Sequence, residues 1–260
     1  MDILSFLSSL PDPVRPFAEG ARISDSSCSP EARVWFLDKG SGAFLKTSAA
    51  GSLRNEAAMD AYFHRLGLSS EVLYYGTFEG RDWLVTEKVP GKDCTRPPYR
   101  ENPEKLSETT ALLLRELHET DPAGCPVTDR LETYTASVRE GIERGSFEDE
   151  LFAGIWGFSS FDEARKAAEE GMRHLTPDAL IHGDYCLPNI LLRHWKLSGY
   201  IDLGNGGIAD RHIDILWGVW TLNYNLHTTR YTDRFLDAYG RDRVEPEKLR
   251  QLAAMEMIGG

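Results

Sequence analysis

The chain has 260 residues, enough to bury one large domain or two lobes around a cleft. With 41% hydrophobic and 27% charged residues, it has the composition of a soluble globular protein, which excludes a fibrous or disordered chain. Its 41 acids against 29 Lys and Arg give a formal net charge of -12. The electrostatic field of this negative charge repels nucleic acid and anionic lipid, so we expect neither as a partner. It attracts a polycationic small substrate, although a negative charge also increases solubility.

The cysteines and the start of the chain indicate a cytoplasmic protein. The four cysteines lie far apart without a CxxC pair, so their spacing predicts neither a zinc site nor a disulfide framework. The opening residues, MDILSF, carry an acid where a secretory signal carries Lys or Arg. No apolar run approaches the roughly 20 residues of a membrane span.

The first third of the sequence predicts an antiparallel sheet with one helix. Apolar residues at helical spacing predict the helix over Leu53–Leu66, followed by Gly67, and place Glu56 in its first turn. A tight turn before Ala43 predicts a hairpin that presents Lys46 near the end of its second strand. The predicted strands are Arg33–Leu37, Ala43–Lys46, Val72–Phe78 and Trp83–Thr86.

The remainder of the chain predicts mostly helices. The Pro-Gly segment Glu87–Gly91 has the composition of a hinge, so we expect an N-terminal lobe over residues 1–88 and a C-terminal lobe over 89–260. Asn102 followed by Pro103 is typical of a helix start. Further helices are predicted over Leu131–Arg144, Phe161–His174, Asp210–Tyr224, Thr232–Tyr239 and Pro246–Ile258.

Two motifs between the predicted helices carry the residues needed for phosphoryl transfer. Asp184 and Asn189 lie five residues apart in HGDYCLPN, before an apolar run. A carboxylate there can accept the proton of an attacking hydroxyl, while an amide oxygen holds magnesium on the nucleotide phosphates. Asp202, 18 residues after Asp184, ends a second apolar run and can supply the other metal ligand.

The two motifs together resemble those of the aminoglycoside phosphotransferases, in particular the 3'-phosphotransferase group. HGDxxxxN is shared with related kinases, whereas IDxGxxGxADRxxD, which starts at Ile201, follows the 3' group more specifically. The resemblance implies an α+β, protein-kinase-like fold with two lobes. The smaller has an antiparallel sheet and one helix, the larger is mostly helical, and the nucleotide lies between them.

The same resemblance implies roles for residues of the first lobe. By position, Lys46 resembles the lysine that contacts the α and β phosphates of ATP or GTP, and Glu56 the acid that orients it. The segment Ser24–Pro30 resembles the loop that covers the nucleotide, with Ser26 and Ser27 as its phosphate contacts. The backbone near Lys88 resembles the hinge that binds adenine. Mg²⁺ is the expected metal, held by Asn189 and Asp202.

Three polar residues near the motifs have a structural interpretation. We expect His182 to pack and hydrogen-bond so that it holds the catalytic loop, and Asp214 to anchor that loop from a helix. Arg211 is interpreted as an ion-pair partner outside the catalytic set.

A pocket for multiply protonated amino sugars should gather carboxylates. Glu148, Asp149 and Glu150 lie where the family has an acidic substrate loop, and Glu256 resembles an acid that grips the drug; the alternative for residues 148–150 is a solvated acidic turn. Asn205 departs from the family, whose 3' enzymes usually carry arginine there. The chain also lacks acids in Asn223–Asn225, and it ends without the paired acids and terminal aromatic residue of many relatives.

These residues support several functions. The first is a kinase that transfers the γ-phosphate of ATP or GTP to an aminoglycoside hydroxyl, at the 3' position. A kinase of the same fold for another amino sugar, an amino alcohol or a peptide antibiotic is the second. The third, a non-catalytic nucleotide-binding protein, is disfavoured by the intact set Lys46, Asp184, Asn189 and Asp202. Scarce histidines around the acids disfavour a metal-dependent hydrolase.

Overall fold

The fold comes from a computed structural model that describes residues 7, 10–28, 30, 32–148, 150–152 and 155–259. Asp149 of the predicted substrate acids lies outside the described residues, as do the first six residues, Ser29 and Gly260. The chain divides into two compact units, Met1–Gly91 with Ser198–Gly204 and Lys92–Leu197 with Asn205–Gly260. Within the described part, no helix combines the length and apolar character that crossing a bilayer requires.

The first unit contains a five-stranded antiparallel sheet. Leu37, Leu45 and Val85, from three neighbouring strands, point to the same side and are buried against Val14. This burial fixes the register, because a slip of one residue would turn the apolar set toward water. The elements are α1 (Arg15–Ala18), β1 (Arg22–Asp25), β2 (Arg33–Asp38), β3 (Ala43–Ala49), α2 (Arg54–Arg65), β4 (Val72–Phe78) and β5 (Arg81–Glu87). The strand order in the sheet is β1-β2-β3-β5-β4.

Asp82 ties this sheet to the start of α2. Its buried carboxylate accepts hydrogen bonds from Thr77 Oγ1 (2.7 Å), Tyr75 Oη (3.1 Å) and the backbone nitrogen of Leu53 (3.1 Å). Burial alone would raise the pKa of Asp82, but these hydrogen bonds prevail and lower it. The helix that carries Glu56 is thereby fixed at its first turn.

The second unit is mostly helical. Local signals set several helix ends: the Ser160 hydroxyl accepts from the backbone nitrogen of Glu163 at the start of the helix Phe161–Gly171, and Gly145 ends the helix Arg130–Arg144 in the left-handed conformation. The helices are α3 (Pro103–His118), α4 (Arg130–Arg144), α5 (Phe161–Gly171), α6 (His212–Leu226), α7 (Thr232–Tyr239) and α8 (Pro246–Ile258).

Short strands connect the helices of the second unit around the two motifs. The pair β7 (Ala179–Ile181) and β10 (Gly207–Ala209) is antiparallel and flanks the catalytic motif. A second small sheet has the order β6-β8-β9, with β6 at Lys92–Asp93, β8 at Ile190–Arg193 and β9 at Lys196–Tyr200. The boundary between the units falls inside β9.

The predicted elements agree with the structure apart from a few differences. The helix predicted over Phe161–His174 ends at Gly171, and the one predicted over Asp210–Tyr224 is shifted by two residues to His212–Leu226. The sequence prediction missed β1, so Ser24, expected in a loop, lies in a strand. A strand this short acquires its conformation from the partner it pairs with, here β2, and not from local periodicity.

Candidate active site

Lys46 lies at the centre of a charged cluster in the first unit. Its Nζ is 2.8 Å from Oε1 of Glu56 and 2.8 Å from Oδ1 of Asp202. Burial opposes the charged form, but the two carboxylates outweigh it and raise the pKa of Lys46. The lysine therefore stays positively charged. It is held between Glu56 of α2 and Asp202, which follows Lys46 by 156 positions.

The cluster around Lys46 has more negative than positive charge. Asp60, one turn after Glu56 on α2, is buried beside it, and burial together with the charges of Glu56 and Asp202 raises the pKa of Asp60 well above its ordinary value. Burial likewise raises the pKa of Glu56. Asp202 is the exposed member, with 52% of its side chain accessible, and its backbone is left-handed at φ 58°. This site can accept a further cation.

The other residues of the first unit that are predicted to contact the nucleotide form hydrogen bonds with the backbone of the sheet and its turn. Ser27 accepts from the backbone nitrogen of Val34 (3.0 Å), and the backbone nitrogen of Ser26 donates to the Val34 carbonyl (2.8 Å). The backbone nitrogen of Lys88 donates to the carbonyl of Gly42 (3.0 Å). A contact from Lys88 to a base must therefore come from its carbonyl or side chain.

The second unit holds Asp184 and Asn189 in contact with each other. The Asn189 side-chain nitrogen donates to Oδ2 of Asp184 (2.9 Å) and to the Asp184 backbone carbonyl (3.1 Å). Asn189 occupies a short 3-10 turn, Leu187–Asn189, just before β8, and is buried. Because the amide nitrogen is used in this way, its oxygen is the atom that can bind a cation, and the orientation of the Asp184 carboxylate is fixed.

Asp214 anchors the loop that carries Asp184, as predicted. From the first turn of α6 its fully buried carboxylate accepts from the backbone nitrogens of His182 (2.7 Å) and Gly183 (2.8 Å), and from Nε2 of His118 (3.2 Å). Gly183 has φ 84°, and a Cβ there would lie 1.9 Å from the backbone oxygen of Asn205. The loop therefore requires glycine beside the aspartate.

His182 and Arg211, for which we expected structural roles, contact the catalytic loop and an aspartate, respectively. His182 is fully buried, and its Nδ1 accepts from the backbone nitrogen of Asp184 (3.3 Å). Arg211 pairs with Asp178 through its Nε (2.7 Å). Both interpretations are confirmed.

A cavity of about 340 Å³ in the second unit is lined by Asp184 and Glu256. Glu256 Oε1 accepts hydrogen bonds from Tyr134 Oη (2.9 Å) and Trp217 Nε1 (3.3 Å). Burial raises the pKa of Glu256 to about 7, although both hydrogen bonds act in the opposite direction. The remaining lining residues are Arg130, Ser137, Gly183 and Asn205.

A second cavity of about 700 Å³ is lined by the two described acids of the predicted substrate loop, Glu148 and Glu150. The backbone nitrogen of Glu148 donates to the carbonyl of Met257 (2.8 Å), which joins this loop to α8. Trp220 and the exposed Tyr224, stacked at 4.9 Å and 14°, form another wall. The structure therefore places Glu148, Glu150 and Glu256 along two cavities.

Aromatic rings on one face of α6 run from the first cavity to the second. Trp217 lines the first and contacts Trp220 edge to face at 5.2 Å, and Trp220 stacks on Tyr224 in the second. We call Trp217, Trp220 and Tyr224 the aromatic row. The sequence analysis did not identify these residues, although their spacing of i, i+3, i+7 is a signal that could have indicated a common helix face.

The sequence selection also missed Arg130, Tyr134 and Asp60. Two of them owe their place in a site to packing: Tyr134 is buried under Glu256, 122 positions away, and Arg130 lies one turn before it on α4. Asp60 had a usable signal, since it follows Glu56 by four residues and so shares its face of the helix.

The chain is similar in sequence to known phosphotransferases. Residues 29–252 match the family described as "Phosphotransferase enzyme family". A "Probable aminoglycoside 3'-phosphotransferase" of Lactococcus lactis subsp. lactis (strain IL1403) is 38% identical over 97% of this chain and 96% of its own length. An aminoglycoside 3'-phosphotransferase of Streptomyces fradiae is 32% identical over 78% of each chain.

Solved structures show the same fold. The crystal structure of an aminoglycoside-3'-phosphotransferase of type VIII has a TM-score of 0.76 and 28% identity, covering 99% of this chain and 98% of its own. An aminoglycoside phosphotransferase from Streptomyces rimosus, in complex with ADP and streptomycin, has a TM-score of 0.72 at 22% identity, covering 98% of this chain and 99% of its own. The α+β, protein-kinase-like fold class is confirmed. The family resemblance inferred from the two motifs is confirmed as well: this chain belongs to the phosphotransferase enzyme family.

Proposed function

We propose that this enzyme transfers the γ-phosphate of ATP or GTP to a hydroxyl group of an aminoglycoside, at the 3' position. The observation that carries the proposal is the pairing of Asp184 with Asn189 at the wall of a cavity that also contains Glu256. The cavity thus offers a base for a hydroxyl and a carboxylate for an ammonium group. The relatives named above as aminoglycoside 3'-phosphotransferases support this choice of acceptor.

In this proposal Asp184 orients the acceptor hydroxyl and takes its proton as the oxygen attacks the γ-phosphorus. The Asn189 amide holds the carboxylate in place by its bond to Oδ2, and Asp214 holds the backbone of the loop. Lys46 contacts the phosphates of the donor nucleotide and neutralises part of their charge. Transfer is direct and forms no phosphorylated enzyme, so the rate comes from positioning and charge neutralisation.

The donor atoms fit Mg²⁺. Mg²⁺ favours a few carboxylate or amide oxygens together with phosphate and water, and Asn189 offers its amide oxygen while Asp202 offers an exposed carboxylate in a cluster with surplus negative charge. We propose these two residues as the ligands. The metal would supply neutralisation of the phosphate charge that builds up during transfer.

The two cavities suit different parts of the acceptor. We propose that the smaller cavity takes the ring that is phosphorylated, with Glu256 at one of its ammonium groups. Further rings would lie along the aromatic row toward Glu148 and Glu150. An ammonium over the face of Trp or Tyr is attracted by about 0.5 to 2 kcal/mol, so the aromatic row can replace the acids absent from Asn223–Asn225.

An assay of nucleoside diphosphate release tests the function directly. We expect turnover of kanamycin with Mg²⁺ and ATP or GTP, and no turnover of its 3'-deoxy analogue, because that analogue lacks the proposed acceptor hydroxyl. Choline and a macrolide serve as acceptors of other chemical classes. Turnover of choline or the macrolide but not of kanamycin would contradict the proposal and favour the alternative same-fold kinases.

Replacing Lys46 with methionine is expected to raise the KM for nucleotide by about 10- to 100-fold, because a charged hydrogen bond to phosphate is lost. Titration with a fluorescent ATP analogue measures the corresponding loss of binding, and thermal unfolding shows whether the fold persists without the lysine that pairs with Glu56. Lys39→Met, at an exposed turn of the same unit, is the matched control and should leave nucleotide binding unchanged. Equal nucleotide affinity in Lys46→Met and Lys39→Met would contradict the role of Lys46.

Glu256 predicts a pH dependence of acceptor binding. Its pKa of about 7 means that kcat/KM for kanamycin should rise about tenfold from about pH 6 to about pH 8, since only the ionised carboxylate attracts an ammonium. Glu256→Gln should lower kcat/KM for kanamycin at about pH 8 and abolish this rise of kcat/KM between about pH 6 and about pH 8. The control Glu247→Gln, exposed on the same helix, should reproduce the unaltered profile.

Stability gives an independent measurement on the same residue. The folded pKa lies above the ordinary value of 4.5, so ionising Glu256 destabilises the fold, and this loss builds up as pH rises from about 4.5 to about 7. Glu256→Gln should therefore unfold at the same or a higher urea concentration than the unaltered protein at about pH 8. A large loss of stability in this variant would show that Glu256 has a structural role instead.

A further inference from the structure

The cavity beside Asp184 contains a cation that the proposed reaction does not use. Arg130, the first residue of α4, lines this cavity together with Asp184 and Glu256, the other charged residues among those described that line it. Its Nε is buried and has no hydrogen-bond partner among the described residues. The guanidinium carbon lies 5.9 Å from the centre of the Tyr134 ring, a contact that uses the face of the ring and leaves N–H groups for a ligand.

Stability does not explain an arginine in this position. Burial lowers the pKa of Arg130, although Tyr134, Glu256 and Asp214 act in the opposite direction from a distance. The start of an α-helix also carries partial positive charge, which repels a cation. A buried donor without an acceptor is a further cost. A bound molecule that presents oxygen atoms to the terminal N–H groups of Arg130 would offset part of the cost of burying this charge.

The position of Arg130 is fixed from two sides. A Cβ on Gly207 in β10 would lie 2.8 Å from the Cβ of Arg130, so the strand packs closely against the start of α4. The backbone nitrogen of Ile208 donates to the carbonyl of Val127 (2.9 Å) and holds the same contact. One turn further along α4, Tyr134 bonds to Glu256. α4 therefore carries the guanidinium itself and, through Tyr134, holds the Glu256 carboxylate at the lining of the same cavity.

A cavity lined by a guanidinium and a carboxylate favours a ligand that presents a hydroxyl oxygen to the first and an ammonium group to the second. The carboxylate attracts an ammonium group, whereas the guanidinium donates hydrogen bonds to hydroxyl oxygens and repels an ammonium group placed opposite to it. The cavity, at about 340 Å³, is near the lower end of the roughly 300 to 1,000 Å³ of ligand pockets, which suits one sugar ring.

We propose that Arg130 is a specificity-determining residue that binds hydroxyl oxygens of the acceptor ring and rejects rings that carry an ammonium group at the facing position. The inference rests on the proposed aminoglycoside kinase activity and deepens it. It predicts discrimination between aminoglycosides that differ by a single hydroxyl or amino group.

Two pairs of aminoglycosides test this prediction. At the 2' position, kanamycin A carries a hydroxyl and kanamycin B an amine. At the 6' position, paromomycin carries a hydroxyl and neomycin an amine. For at least one pair, kcat/KM should be about tenfold higher for the hydroxyl member, as expected for a like-charge contact in a partly screened pocket. Arg130→Gln should bring that ratio to within about twofold, because it removes the repelling charge.

The ratio within a pair is insensitive to partial unfolding, since both acceptors are assayed with the same preparation. Arg130→Lys should keep most of the preference because it keeps the charge, and Arg139→Gln, exposed on the same helix, should keep all of it. A ratio that Arg130→Gln leaves unchanged in both pairs, or a preference for the amino members, would overturn the inference alone. If the unaltered enzyme phosphorylates none of the four, the proposed function fails, and this inference fails with it.

Discussion

Replacing Asp184 with asparagine is expected to lower kcat by about 100- to 10,000-fold, the usual contribution of a positioned general base. Asparagine has nearly the same shape and its side-chain oxygen can still accept from Asn189, so the loop should keep its structure. What it lacks is the capacity to take the proton of the acceptor hydroxyl. Turnover of kanamycin by diphosphate release, and nucleotide affinity measured separately, distinguish these effects.

Nucleotide affinity should change little in Asp184→Asn, because the groups assigned to the phosphates are Lys46 and the metal ligands. Asp242→Asn, exposed in the same unit, is the matched control and should retain full turnover. Turnover within about threefold of the unaltered enzyme would remove Asp184 from the catalytic role, since a missing base costs far more.

Replacing Asp214 with asparagine should destabilise the fold by about 2 to 4 kcal/mol. Both carboxylate oxygens accept hydrogen bonds, one from the Gly183 backbone nitrogen and the other from the His182 backbone nitrogen and from His118. An asparagine must present its NH₂ group to one of these donors, so at least one buried donor loses its acceptor. Urea unfolding measures the loss.

The same substitution should also lower kcat, because the loop between His182 and Asp184 loses its anchor. Asp237→Asn is the control: it breaks an exposed pair with Arg241, and such pairs contribute about 1 kcal/mol or less. If Asp214→Asn and Asp237→Asn unfolded at the same urea concentration, the buried carboxylate would not be the anchor that its contacts indicate.

Elements with strong local signals could be predicted to the residue. The helices Thr232–Tyr239 and Pro246–Ile258 have the predicted bounds, and the latter begins with proline and is followed by glycine. The strands β1, β7 and β10, of three or four residues, were not predicted. Each is defined by pairing with a strand elsewhere in the chain, and a segment this short has too few residues to show an alternation.

The motifs allowed part of the candidate site to be predicted. The spacing of five residues between Asp184 and Asn189 predicts that they act together, and the two side chains are in contact. The positions of Lys46 and Glu56 predict an ion pair, and the two form one at 2.8 Å. The place of Asp202 after a strand predicts a metal ligand, but nothing in its local sequence indicates that it bonds to Lys46 and belongs to the unit of residues 1–91.

The sequence by itself determined the family, the fold class and the candidate residues for phosphoryl transfer, because these are encoded in short motifs and in the order of the elements. Only the tertiary structure decided the surroundings of those residues. Glu256 has a pKa of about 7 because α4, α6 and α8 together remove it from water, and Arg130 reaches the same cavity because β10 packs on the start of α4. Desolvation depends on every element that packs around a group, so no local pattern could have predicted either.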